Sequence, residues 1–71
     1  MTTTITIMAN DGSSHREILA THLEADAIAE REALSVTNIV VTHDGDVFRR
    51  VTADGNHLPL THAELVSLGL A

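Results

Sequence analysis

The fold turns on residues 14–34, SHREILATHLEADAIAEREAL (Ser14–Leu34). They contain no Gly and no Pro, and two helix starts compete within them. Ser14 and Glu17 have the spacing of a capping box, in which a hydroxyl and a carboxylate satisfy backbone N–H groups at a helix start. A helix from His15 to Leu34 would gather Leu19, Leu23, Ala27 and Leu34 on one side of a 3.6-residue wheel, with Ala20 beside them. That stripe is predicted to face the core. Glu17, Glu24, Arg31 and Glu32 fall mainly elsewhere on the wheel. Thr21 and Glu24 form a second box. If that cap prevails, the helix begins near His22, and His15–Thr21 pairs as a strand with the segment before it.

That earlier segment, Thr3–Ala9, alternates Ile5 and Ile7 against Thr4, Thr6 and Met8, the period of a strand rich in β-branched residues. Asn10-Asp11-Gly12-Ser13 ends it with turn chemistry. Downstream, Asn38–Thr42 is a second strand centred on Ile39, Val40 and Val41. His43-Asp44-Gly45-Asp46 closes it, and Asp-Gly between apolar runs is a hairpin signal. Val47–Thr52 returns with alternating sides, and Ala53-Asp54-Gly55-Asn56 turns again. Pro59–Ala71 reads as a short closing helix, with Thr61 and Glu64 as a third box and Gly69 as the C-cap.

The expected fold is α+β: a small three-stranded antiparallel sheet packed by one long helix in the order β-α-β-β, plus a short C-terminal helix. The second helix start gives β-β-α-β-β instead. Seventy-one residues allow a single compact domain, spanning residues 1–71, with a small core. A sheet of this size needs one face covered by the helix. Thr4, Thr6, Arg50 and Thr52 are candidates for its outer face.

Composition narrows function. The hydrophobic share of 44% suits a folded globule, and Phe48 is the only aromatic residue. Recognition by this chain therefore rests on aliphatic surface, hydrogen bonds and charge. Ten acidic residues oppose four arginines, for a formal net charge of -6. Such a surface is repelled by phosphate backbones and steers basic partners toward it. Direct nucleic-acid binding is not expected, since the arginines form no stripe and stacking platforms are nearly absent. The chain has no cysteine, which fits a reducing compartment. No run approaches the roughly 18 apolar residues of a membrane span, and the N-terminus lacks the pattern of a signal peptide. A cytoplasmic location is the expectation.

Chemistry finds no convincing constellation. His15 and His22 stand two helical turns apart on the long-helix reading, about 10 Å, too far for one ion. His43, His57 and His62 form no tight ligand pair, so no metal and no cofactor are expected. Asp44-Gly45-Asp46 resembles a fragment of a calcium loop, but Gly55 stands where the closing Glu is needed. Ser13, Ser14, His15 and Glu17 include the residue types of nucleophilic catalysis, yet a helix cap accounts for Ser14 and Glu17. No phosphate-cradling glycine pattern occurs. The chain is not expected to be an enzyme.

Two binding accounts remain. In the first, Glu24, Asp26, Glu30, Glu32, Asp44 and Asp46 present charge to a basic protein or nucleoprotein, and Arg49 or Arg50 bonds a partner carboxylate. In the second, Ile28, Leu58, Leu60 and the leucines of the closing segment form an aliphatic patch that assembles a homodimer or larger oligomer. In size, acidity, lack of cysteine and β-α-β-β order over Thr3–Val51, the chain resembles very small phage-encoded inhibitors, anti-CRISPR proteins among them. The resemblance implies blockade of a host nucleic-acid-handling complex and assigns no residue a role.

Overall fold

The structure, a computed structural model, describes all residues 1–71. Its elements are β1 (Thr2–Ala9), β2 (His15–Thr21), α1 (His22–Ala33), β3 (Asn38–Asp44), β4 (Val47–Val51), β5 (His57–Pro59) and α2 (His62–Ser67). The strands form one antiparallel sheet in the order β2-β1-β3-β4-β5. The fold is α+β, and the start near His22 is the one adopted. β2 and β5 enlarge the expected three-stranded sheet to five.

Strand wins over helix at residues 15–21 because the turn before them brings them against β1. The Ser13 N–H donates to Asp11 Oδ1 at 2.9 Å, and Gly12 takes φ 76. That is a left-handed conformation open to glycine at little cost. The chain therefore reverses just after β1 and lays His15 beside Met8. Seven cross-strand pairs follow, with Ile5 opposite Ile18 and Thr3 opposite Ala20. The short loop makes this pairing cheap in entropy, and it satisfies the β1 edge that a helix would leave open. The Ser14–Glu17 box is accordingly not formed, because Glu17 lies within the ladder opposite Thr6. Thr21 does occupy the N-cap of α1, but its side chain makes no capping hydrogen bond.

Residues alternate across a strand, so one sheet face carries Ile5, Ile7, Ile18, Ala20, Val40 and Val51. This face receives α1. The helix presents Ala25, Ala29 and Ala33, all buried, with Ile28 packed at the margin of the same cluster. The expected stripe of Leu19, Leu23, Ala27 and Leu34 is not the core. Leu19 belongs to β2, and Leu23 and Leu34 are 94% and 69% exposed. The bulky Ile and Val side chains of the sheet already fill the space between the layers. Alanines at i, i+4 and i+8 let the helix backbone lie close over them, where leucines would overfill the gap.

The opposite face carries Thr4, Thr6, Met8, Leu19, Ile39, Val41, His43, Phe48, Arg50 and Leu58 by the register, and Thr52 follows the end of β4. Thr6 and Val41 at its centre are nevertheless buried, so only the rim of this face meets solvent freely. Only 12 of 71 residues are buried in all, a thin core in keeping with marginal stability. The closing helix is shorter than expected, since Pro59 ends β5 and α2 begins at His62. Its Thr61–Glu64 capping box is complete. Gly69 (φ 76) terminates it in a Schellman motif, with Leu70 N–H donating to the Leu65 carbonyl at 2.8 Å and Gly69 N–H to Val66 at 3.1 Å.

Candidate functional site

The eight charged residues singled out from the sequence do not converge on one patch. Three of the acids are engaged within the molecule. Glu30 Oε1 lies 3.3 Å from His57 Nε2, linking α1 to β5. Glu32 Oε1 lies 3.3 Å from Arg16 Nη2, linking the end of α1 to β2. Asp44, at the end of β3, accepts a hydrogen bond from the Thr3 hydroxyl and sits 3.3 Å from His22 Nδ1. These three links fasten the helix to the sheet at both ends.

Glu24, Asp26 and Asp46 are exposed and make no ion pair within the molecule. Glu24 occupies the first turn of α1, where the positive end of the helix dipole favours a carboxylate. Asp26 lies two residues further on, just over half a turn around the helix. Asp46 occupies the β3–β4 turn beside Gly45. The two arginines part company, as neighbours in a strand must. Arg49 lies on the helix-facing side of β4, opposite Thr42, and Arg50 lies on the other side, opposite Val41. Arg50 shares a shallow hollow with Ala63, Glu64 and Leu68 of the C-terminal segment.

The Thr3–His22–Asp44 cluster contains the side chains of a nucleophilic triad without its geometry. His22 Nδ1 meets both Thr3 Oγ1, at 2.8 Å, and Asp44 Oδ1. A working triad needs the hydroxyl and the carboxylate on opposite ring nitrogens. Here the Thr3 hydroxyl donates to the carboxylate, and Thr3 is 3% exposed. The cluster pins β1, β3 and the start of α1 together. His43 stacks on Phe48, with ring centroids 4.7 Å apart, and His15 lies 3.6 Å from Glu17. No three His, Asp or Glu side chains are grouped so as to hold a metal ion.

Two of the apolar features that reach solvent bear on the binding accounts. One is a cleft of about 530 Å³ between the end of α1 and the β4–β5 hairpin, lined by Val36, Val51, Leu58 and Leu60, with Arg50 and Glu64 at its polar margin. Leu58 and Leu60 of the aliphatic-patch account both lie there, whereas Ile28 packs against the core. The other is the outward ridge of α1. Leu23, Ala27 and Leu34 lie on the side of the helix roughly opposite the core-facing alanines, and all three are exposed. Glu24 and Arg31 flank the ridge on one side and Asp26 and Glu30 on the other. Sequence reasoning found these leucines and misplaced them. The Ala25/Ala29/Ala33 spacing was the signal that a second apolar face existed.

No family model matches the chain, and neither a curated protein nor a solved structure matches it. No helix is long and apolar enough to cross a membrane.

Proposed function

We propose that this chain is a small acidic, non-enzymatic regulator or inhibitor that docks on a basic surface of a protein or nucleoprotein. The observation that carries the reading is the exposed Leu23–Ala27–Leu34 ridge with Glu24 and Asp26 beside it. Exposed carboxylates with no internal cation steer a basic partner, and adjacent aliphatic surface holds it once water is expelled. A phage-encoded inhibitor of a host nucleic-acid-handling complex would use such a surface to occupy a basic face that otherwise receives nucleic acid.

The test is capture of partners from native host extract at about 50 mM and about 500 mM salt, where screening of exposed charges differs severalfold. A basic protein or nucleoprotein should be retained at low salt and released at high salt. Retention should fail for the triple variant Glu24→Gln, Asp26→Asn, Asp46→Asn. A captured partner indifferent to both salt and these substitutions would end the electrostatic reading. The cleft holding Leu58 and Leu60 favours a second reading, a structural or assembly module that forms a homo-oligomer. Light scattering of the purified chain decides it, since aliphatic assembly persists at high salt.

A further inference from the structure

The two edges of the sheet differ. β5 is three residues long and ends on Pro59, which has no N–H to offer, and the His57 ring beside it is tied to Glu30. Such devices keep an edge from pairing with another strand. β2 has none of them. It runs seven residues without Pro, Lys or a bulge and pairs with β1 along its whole length.

The ladder fixes which backbone groups β2 leaves open. Ala9 N–H donates to the Ser14 carbonyl at 3.1 Å, and Asn10 N–H donates the other way, to the Thr37 carbonyl beside β3, at 2.8 Å. Hydrogen-bonded pairs alternate along an antiparallel ladder, so Arg16, Ile18 and Ala20 bond to β1. His15, Glu17, Leu19 and Thr21 therefore turn their N–H groups outward. The first three turn their carbonyls outward as well, while that of Thr21 begins the helix. All four side chains are exposed, on the sheet face away from α1.

We propose that β2 pairs antiparallel with β2 of a second copy of this chain, joining two sheets into one across a two-fold axis at Ile18. In that register Glu17 opposes Leu19 of the copy and His15 opposes Thr21, so every outward residue meets an outward residue. Ile18 meets its own counterpart on the α1 side, where it already lies at the margin of the core. Sliding one strand by two residues sets Glu17 on its counterpart in one direction and leaves His15 unpaired in the other.

The charge of β2 selects a copy over a strand from a basic partner. Between Ser13 and Leu23 the formal charges are those of Arg16 and Glu17, a balanced stretch in a chain of net charge -6. Glu17 already has His15 at 3.6 Å. A strand rich in Lys or Arg finds no acidic row here, whereas two copies meet with little like charge directly opposed. Repulsion between the copies comes from acids elsewhere and is screened by salt. The remaining edge is the blunted β5, so assembly closes at two copies. The dimer goes beyond the charge-directed function and uses a different surface from the Leu58–Leu60 cleft.

Light scattering of the purified chain from micromolar to millimolar concentration should show monomer passing to dimer and no further. The dimer should be tighter at about 500 mM than at about 50 mM salt, the reverse of basic-partner capture. Hydrogen exchange by NMR reads the edge itself. The Glu17 and Leu19 amides should exchange at least threefold more slowly at high protein concentration, whereas those of Arg16, Ile18 and Ala20 are protected throughout. Leu19 is 73% exposed, so its substitution spares the core. Leu19→Glu sets like charge against Glu17 of the copy and should weaken the dimer at least fivefold; Leu19→Arg faces the same carboxylate and should tighten it at least twofold. Leu58→Ser should leave it unchanged. A monomer at millimolar concentration overturns the proposal, as does a dimer whose Glu17 and Leu19 amides exchange as in the monomer. Growth past two copies, or a dimer lost in Leu58→Ser and kept in Leu19→Glu, also overturns it. Protection of those amides only by an added partner protein would give the edge to that partner's strand and end the assignment to a second copy. None of these outcomes bears on salt-dependent capture through Glu24, Asp26 and Asp46.

Discussion

Substitution at the two apolar stripes of α1 separates the observed packing from the one that leucine content suggests. Leu23 is 94% exposed and Leu34 is 69% exposed, whereas Ala29 is fully buried against the sheet. Full burial of a leucine is worth about 1.5–3 kcal/mol, so the small buried fraction of Leu23 accounts for roughly 0.1–0.2 kcal/mol. The better helix propensity of alanine offsets about that much. Leu23→Ala should leave stability unchanged within about 0.5 kcal/mol, and Leu34→Ala, with nearly a third of its surface covered, should cost about 0.5–1 kcal/mol. Were these residues the core, each truncation would cost about 2–5 kcal/mol. Ala29→Leu works in the opposite direction. It forces three further heavy atoms into a filled layer beneath the helix, at a cost of about 1–3 kcal/mol, and should lower Tm by about 5 °C or more. Urea and thermal unfolding followed by circular dichroism measure all three variants. A loss above about 2 kcal/mol for Leu23→Ala, or a rise in Tm for Ala29→Leu, would refute the assigned packing.

Other perturbations probe the turns and caps. Ser13 donates from its side chain and backbone to Asp11 and holds the Asp11 pKa below its usual 3.8. A depressed carboxylate pKa stabilises the fold above the unfolded-state value, and that contribution disappears as pH falls through the folded one. Ser13→Ala should move the NMR titration midpoint of Asp11 back toward 3.8; an unchanged midpoint would remove Ser13 as the main cause. Gly12→Ala meets no atom within 4 Å, so its cost comes from the φ 76 backbone and should be about 1–2 kcal/mol in urea unfolding. Thr61→Ala removes the cap of α2, none of whose residues is buried. Hydrogen exchange of its amides should quicken by a few-fold to about tenfold, with little change in global Tm. Asp44→Ala removes the carboxylate acceptor of the buried Thr3 hydroxyl, which keeps His22 Nδ1 as a partner at 2.8 Å, and should cost about 0.5–1.5 kcal/mol, whereas Asp44→Asn, which keeps an acceptor oxygen, should cost less.

The turns, β1, β3, β4 and the last helix were legible because each carries its signal locally. Ile5 and Ile7 alternate with threonines, Asp-Gly pairs lie in three hairpin turns, and the Thr61–Glu64 box closes as its spacing implies. The candidate surface was legible only in part. Glu24, Asp26 and Asp46 are exposed acids, as a count of charge would have them. That Glu30, Glu32 and Asp44 are tied to His57, Arg16, Thr3 and His22 depends on contacts between residues 16 to 41 positions apart, for which no periodicity speaks.

By itself the sequence determined an acidic α+β chain without cysteine, the places where it turns, and the presence of two helix starts between Ser14 and Leu34. Its local terms leave those two starts closely balanced. Tertiary structure decided between them, because β1 lies within a short loop of residues 15–21 and offers them a ladder of seven pairs. It also decided which side of α1 is buried. A wheel weighs leucine above alanine, whereas the space over a sheet already filled by Ile5, Ile7, Val40 and Val51 admits only small side chains. The helix therefore turns its alanines inward and leaves Leu23 and Leu34 at the surface.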